Sequence, residues 1–98
     1  MTDLLQDDEY DRRFAGVGKI YGEENFHYYE KSHVMVIGIG GVGSWAVEAL
    51  ARTGVGELTL MDMDSIAASN INRQLPAMTA TLGQEKIEVM AERCRSIN

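Results

Sequence analysis

Glycines 38, 40 and 43 stand at G-x-G-x-x-G spacing, directly after the apolar run His33-Val34-Met35-Val36-Ile37 and before a helix-patterned stretch. That arrangement suits phosphate chemistry. The first glycine permits a tight turn, the second lets backbone approach a phosphate, and the third lets helix and strand pack closely. The helix start at Val42 to Ser44, with Gly41 just before it, then offers N–H groups and the positive end of a dipole to an anion. Asp62 follows Gly43 by 19 residues, at the end of the next apolar run. A carboxylate there can accept hydrogen bonds from both hydroxyls of a ribose. Alone, a glycine-rich turn is compatible with having no ligand. With strand, turn, helix, strand and terminal acid in one line, it reads as a nucleotide site.

The residues that follow bear on which nucleotide. A dinucleotide's pyrophosphate is largely met by a helix start. This chain adds Asn70, Asn72, Arg73 and Gln74 after the second strand, and Lys86 further on. Arg73 can present a bidentate fork to a phosphate, and Lys86 a mobile point charge. A triphosphate carries more charge and calls for such cations as its bonds rearrange. Lys86 is expected on the first turn of a helix, where the dipole disfavours a cation unless an anion compensates. The competing reading makes Arg73 and Lys86 solvated surface charges.

The elements that must hold these groups follow from periodicity. The run at 33–37 is nearly continuous in apolar residues, as in a parallel strand buried on both faces. Val42 to Thr53 repeats apolar residues at helical spacing through Val42, Trp45, Ala46, Ala49, Leu50 and Thr53, which predicts Trp45 in the core rather than as a stacking platform for a base. Glu48 and Arg52 read as an exposed i,i+4 pair, and Gly54 as the residue that ends the helix. Glu57 to Asp62 is a second strand, giving a β-α-β crossover with both strands parallel. Residues 65–78 read as loop or broken turn, stopped by Pro76. Gly83 to Ile97 reads as an amphipathic helix with Ile87, Met90, Ala91 and Cys94 on one stripe. Upstream, residues 1–9 are expected to fray. A short helix from Tyr10 to Ala15 is expected to break at Gly16-Val17-Gly18. A second helix from Gly22 to about Lys31 takes its apolar side from Ile20, Phe26, Tyr28 and Tyr29, and His27 reads as a surface or packing residue.

The expected fold class is α/β: a Rossmann-like βαβ unit on a parallel sheet with N-terminal helices, cut short. Residues 1–32 form an acidic helical brace and residues 33–98 the N-terminal half of a nucleotide-binding domain. Two strands cannot make a doubly wound sheet covered on both faces, so the chain reads as a fragment. Its 98 residues allow one domain at most. The net charge of −6 argues against a nucleic-acid surface within these residues. One cysteine, Cys94, permits neither an intramolecular disulfide nor a zinc cluster and fits a reducing compartment. No stretch reaches the roughly 18 apolar residues of a membrane span.

The phrase Ser69-Asn70-Ile71-Asn72-Arg73-Gln74, with Gly38-Ile39-Gly40-Gly41-Val42-Gly43-Ser44 before it and Gly83-Gln84-Glu85-Lys86 after it, resembles the adenylating domain of the ubiquitin-activating-enzyme superfamily. That superfamily includes the bacterial ThiF, MoeB and HesA type proteins. The resemblance covers about residue 10 to the end. Residues 36–54 and 88–93 are most similar to the branch of tRNA threonylcarbamoyladenosine dehydratases.

The resemblance implies a role for each matching position. The glycine turn, with Gly41, Val42 and Ser44, would hold the phosphates of ATP. Asp62 would bind its ribose, with Asp64 a neighbour in the same loop. Asn70, Arg73 and Lys86 would contact the polyphosphate, with Gln74 beside them, and Arg73 and Lys86 would stabilise charge as a substrate carboxylate attacks the α-phosphate of Mg-ATP. The products would be an acyl-adenylate and pyrophosphate. In the dehydratase branch the carboxylate belongs to a modified base of tRNA, and the activated group closes into a ring with loss of AMP. In the ThiF and MoeB branches it belongs to a small sulfur-carrier protein, which is the alternative within the family. An NAD- or FAD-dependent oxidoreductase is the alternative outside it. The resemblance further implies a cytoplasmic homodimer with no membrane partner. The family's metal-binding aspartate is expected beyond residue 98, so no metal ligand is assigned here, and residues 1–98 alone are expected not to adenylate. The family's N-terminal arginine falls at Gly16, with Arg12 or Arg13 as substitutes.

Overall fold

A computed structural model describes residues 7–98; the expected fraying of residues 1–6 lies outside them, and residues 7–9 are helical rather than frayed. The order is α1 (Asp7–Tyr21), α2 (Glu23–Lys31), β1 (His33–Ile37), α3 (Gly43–Arg52), β2 (Glu57–Met61), two short 3-10 turns (Ala68–Asn70 and Thr79–Thr81) and α4 (Lys86–Arg95). β1 and β2 are parallel and in register from His33 opposite Glu57 to Ile37 opposite Met61. Both strands therefore end on the same side, which brings the glycine turn and Asp62 together. The ladder runs one step past the strands, with the Gly38 N–H donating to Met61 O at 2.8 Å.

The core between sheet and helices is Ile39, Val47 and Met90, with Val36, Leu58, Leu60, Leu75, Ile87 and Cys94 packed against it. A second cluster, Tyr10, Phe14 and Phe26, joins α1 to α2 and takes in Val17 and Ile97. It is fastened to the rest by the Tyr10 hydroxyl, which donates to Gly54 O, and by Gly56 N–H, which donates to Tyr29 O at 3.0 Å. Burial pushes the Tyr10 phenol up to about 12. None of the described helices is long and apolar enough to cross a membrane.

Four expectations need correction. First, α1 runs straight through Gly16-Val17-Gly18. Tyr10, Phe14 and Val17 lie on one face and bury together, and that packing outweighs the roughly 1 kcal/mol cost of each helical glycine. Gly18 is itself buried where α2 comes close: a Cβ there would meet Glu23 Oε1 at 2.9 Å. Of the apolar side assigned to the second helix, Phe26 alone is fully buried, while Ile20 and Tyr28 are exposed.

Second, β1 is not covered on both faces. Val34 and Val36 turn toward the helices; Met35 and Ile37 are exposed. α3 and α4 pack on one side of the sheet, and no described element packs on the other. Third, the buried face of α3 is Ser44, Val47, Glu48 and Ala51, rotated from the predicted stripe. Trp45 is 54% exposed and is not core. Fourth, Glu48 is not a surface partner of Arg52. It is largely buried, bonded to Arg52 at 2.7 Å and to Arg93 of α4 at 2.6 and 2.9 Å. Two guanidinium groups make a carboxylate tolerable on a helix face that periodicity reserves for apolar residues.

A cavity of about 680 Å³ lies between β2 and α4, lined by Leu58, Leu60, Ile87, Ala91 and Cys94 among others. It contains no residue of the glycine turn. Burial beside this groove raises the Cys94 thiol above its ordinary pKa, as suits a packing residue rather than a reactive one.

Candidate functional site

The glycine turn is shaped by two close constraints. Gly38 has φ of +91°, a conformation L side chains rarely adopt. At Gly43 a Cβ would fall 1.7 Å from Gly38 O, so any side chain would force α3 off the strand end. The chain here curls back on itself. The Ser44 N–H and hydroxyl both bond to Gly40 O, at 3.1 and 2.5 Å. Among the described residues, no backbone acceptor meets the N–H groups of Gly40, Gly41, Val42 and Gly43. They form a set of donors at the positive end of α3, available to an anion.

Asp62 closes the turn from the β2 side. Its Oδ2 accepts from the Ile39 N–H at 2.7 Å and its Oδ1 from the Asp64 N–H at 2.8 Å. The Ile39 bond is the main reason the carboxyl titrates below the usual aspartate range, with Lys86 adding to it. A carboxylate has about four acceptor directions, so beyond these backbone bonds it can still take a ribose hydroxyl.

A non-local pairing brings Lys86 to this place. Residues 64–66 and 83–86 zip together through an antiparallel bridge between Ser65 and Glu85. Bonds from Ile66 N–H to Gln84 O and from Gly83 N–H to Ile66 O, each 2.8 Å, and from Lys86 N–H to Asp64 O at 3.2 Å complete it. Lys86 thus opens α4 beside the acidic loop, 5% exposed. Its Nζ lies 3.9 Å from Asp64 Oδ2, beyond hydrogen-bond length. The surface-charge reading of Lys86 is therefore wrong: the side chain is buried and its ammonium loosely paired.

The loop 69–75 packs across the turn. The Arg73 side chain lies over Gly41, its Cγ and Cδ each 3.5 Å from where a Cβ would stand. Its Nη1 donates to Ser69 O and to Asn72 Oδ1, both at 3.0 Å. Arg73 is exposed, so the solvated half of the surface reading fits its accessibility. Asn70 faces inward on its own turn, its Oδ1 accepting from the Ala67 N–H at 2.9 Å. Gln74 is 7% exposed and adjoins Gly40, and its Oε1 is buried with no donor. Ser44 joins the two loops: its hydroxyl also accepts from the Leu75 N–H at 3.2 Å.

The residues named from sequence fall into two groups. Gly38, Gly40, Gly41, Val42, Gly43, Ser44, Arg73 and Gln74 form one connected surface, and Asp62, Asp64 and Lys86 a second that meets it at Ile39. Asn70 and Ser44 spend their side-chain oxygens inside the protein. Sequence reasoning missed Trp45, whose indole N–H donates to Arg73 O at 2.9 Å. Its place on the first turn of α3, directly after Ser44, was the available signal. Arg13 does not reach this site. It pairs with Glu9 and donates to Ile97 O, each at 3.1 Å. With Arg52 it lines a cleft at the far end of α3, roughly 14 Å of helix from the turn. Among the described residues no group of three or more histidine, cysteine or carboxylate side chains converges.

A tRNA threonylcarbamoyladenosine dehydratase of Haemophilus influenzae is 55% identical over 98 residues, covering 100% of this chain and 38% of the relative. The crystal structure of the Escherichia coli dehydratase in complex with ATP superimposes with a TM-score of 0.93 at 49% identity, covering 97% of this chain and 39% of that one. A molybdopterin-synthase adenylyltransferase of Salmonella typhimurium is 43% identical over 67 residues, or 68% of this chain and 27% of the relative. The chain thus spans under two fifths of the length of these relatives. The ThiF family profile matches residues 10–98, and the chain belongs to the ThiF family.

Proposed function

We propose that these residues form the ATP-binding part of an adenylating enzyme that acts in the tRNA threonylcarbamoyladenosine dehydratase reaction. A substrate carboxylate oxygen attacks the α-phosphorus of ATP. The bond from that phosphorus to the bridging oxygen breaks, pyrophosphate leaves, and an acyl-adenylate remains. The observation that carries the reading is Lys86. A lysine whose side chain is buried and whose nearest carboxylate is 3.9 Å away is costly unless an anion completes it. A polyphosphate beside Asp62 would do so.

In this reading the amides of Gly40 to Gly43 hold phosphate oxygens. Asp62 takes the ribose hydroxyls, with Asp64 restraining Lys86. Arg73 and Lys86 neutralise charge that builds on the α-phosphate and the leaving pyrophosphate, and Asn70 and Gln74 shape the loop that carries Arg73. Residues 1–32 act as a brace, and residues 33–98 as the nucleotide-binding half of a larger domain. The tRNA substrate, a homodimeric assembly and a cytoplasmic setting belong to the same proposal. ATP with its usual magnesium is the cosubstrate, the metal held by groups other than those described.

The sulfur-carrier reading has the molybdopterin-synthase relative in its favour, but at lower identity over a shorter span. The test uses a protein of the relatives' full span. Lys86→Met and Arg73→Ala should each abolish most ATP-dependent activity, read as AMP formation on tRNA carrying the modified base. ATP, and not NAD, should raise the melting temperature of the parent protein. Unimpaired AMP formation by both variants would remove the reading.

A further inference from the structure

We propose that Trp45 is a positioning residue for the Arg73 loop, acting through a single hydrogen bond from its indole to the loop backbone. The inference rests on the adenylation reading above and deepens it.

Arg73 is exposed, and an exposed arginine ordinarily samples many rotamers at a cost of about 2 kcal/mol when fixed. Here it is held at three points. Its guanidinium donates to Ser69 O and Asn72 Oδ1, and its aliphatic part lies on Gly41. Those two restraints belong to the loop itself and to the turn beneath it. The third comes from a helix: the Trp45 indole donates to Arg73 O at 2.9 Å. One residue earlier, Ser44 bonds both Gly40 O and the Leu75 N–H. The first turn of α3 therefore grips the loop at residues 73 and 75, while its own N-terminus carries the free amides. Phosphate donors and the arginine above them move as one body.

Packing does not account for Trp45. A tryptophan that served only the core would be covered; this one is 54% exposed. Its N–H spans 28 residues to reach a backbone carbonyl, which spends the polar atom on the loop. A shorter or purely apolar side chain cannot supply that donor.

The test is a double-mutant cycle in a protein of the relatives' full span. Trp45→Phe keeps an aromatic ring and removes the donor. It should lower kcat/KM for adenylate formation about three- to tenfold, the scale of one hydrogen bond. In an Arg73→Ala background the same change should have almost no effect. Equal losses in both backgrounds, or no loss in the parent, would overturn the proposal while leaving the adenylation reading in place. An Arg73→Ala variant of full activity would also overturn the proposal, and it would remove the adenylation reading only together with an unimpaired Lys86→Met. A second measurement needs no activity: the Trp45 indole proton, assigned by its disappearance in Trp45→Phe, should exchange with deuterium at least about tenfold more slowly than free indole. Exchange at the free rate would also overturn the proposal.

Discussion

Among the described residues two charged side chains are buried, and they are treated in opposite ways. Glu48, on the inner face of α3, meets two guanidinium groups at 2.6 to 2.9 Å. Lys86, at the start of α4, meets one carboxylate oxygen at 3.9 Å. Both were driven inside by the packing of α4 on the rest. The first is complete, and it ties α3 to α4 at the end away from the glycine turn. The second lacks a close anion and sits beside a turn whose amides lack acceptors. A satisfied charge marks a joint; an unsatisfied one, in company with other unsatisfied groups, marks a binding site. Gln74 Oε1 belongs to the second company.

That contrast can be broken from either side. The largest expected effect is on Lys86. Lys86→Met, in a protein of the relatives' full span, should reduce adenylate formation about 10²–10³-fold, the cost of losing one preorganised charge on a transition state. Its stability without nucleotide should stay level or rise by about 1 kcal/mol in urea titration, because a loosely paired buried charge has been removed.

Glu48→Gln should do the reverse, costing about 2–3 kcal/mol in the same titration, because two arginines lose their anion. ATP affinity should stay within about twofold of the parent.

Acid should reveal the same joint. The hydrogen bonds from Arg93 hold the Glu48 carboxyl at about 2 rather than its ordinary 4.5. The folded protein thus binds this proton less readily than the unfolded chain. The clasp's contribution is whole above about pH 4.5, declines as pH falls below that value, and is gone below about 2. Glu48→Gln should flatten that limb of a stability–pH curve.

The smallest effect is at Gln74. Replacing this glutamine, whose Oε1 is buried without a donor, with methionine should stabilise the nucleotide-free protein by about 1 kcal/mol. The same variant should weaken stabilisation by ATP. A loss of stability in Gln74→Met would place the amide with Glu48 rather than with Lys86.

Much of the site was legible because its parts are local. Gly38, Gly40, Gly43 and Asp62 are set by one strand-turn-helix-strand unit, so their spacing along the chain is also their arrangement in space. The burial of Lys86 was not legible. It depends on residues 64–66 finding 83–86, and nothing in either segment's periodicity announces that pairing. Glu48 and Trp45 misled in complementary ways. Hydrophobic periodicity counts a carboxylate as outside and an indole as inside, and it has no term for distant groups. Arg93 inverted the first assignment, and the backbone carbonyl of Arg73 the second. α1 passed through its glycines because the stripe of Tyr10, Phe14 and Val17 was stronger than the local break.

Trp45 is the only tryptophan in the 98 residues, and its indole is half in water with its N–H on the Arg73 loop. Indole emission responds to both conditions. Light absorbed at this one ring should therefore report the state of the loop, shifting to longer wavelength and losing intensity when the loop lifts away. The side chain that grips the loop is also an optical gauge of whether the grip is closed.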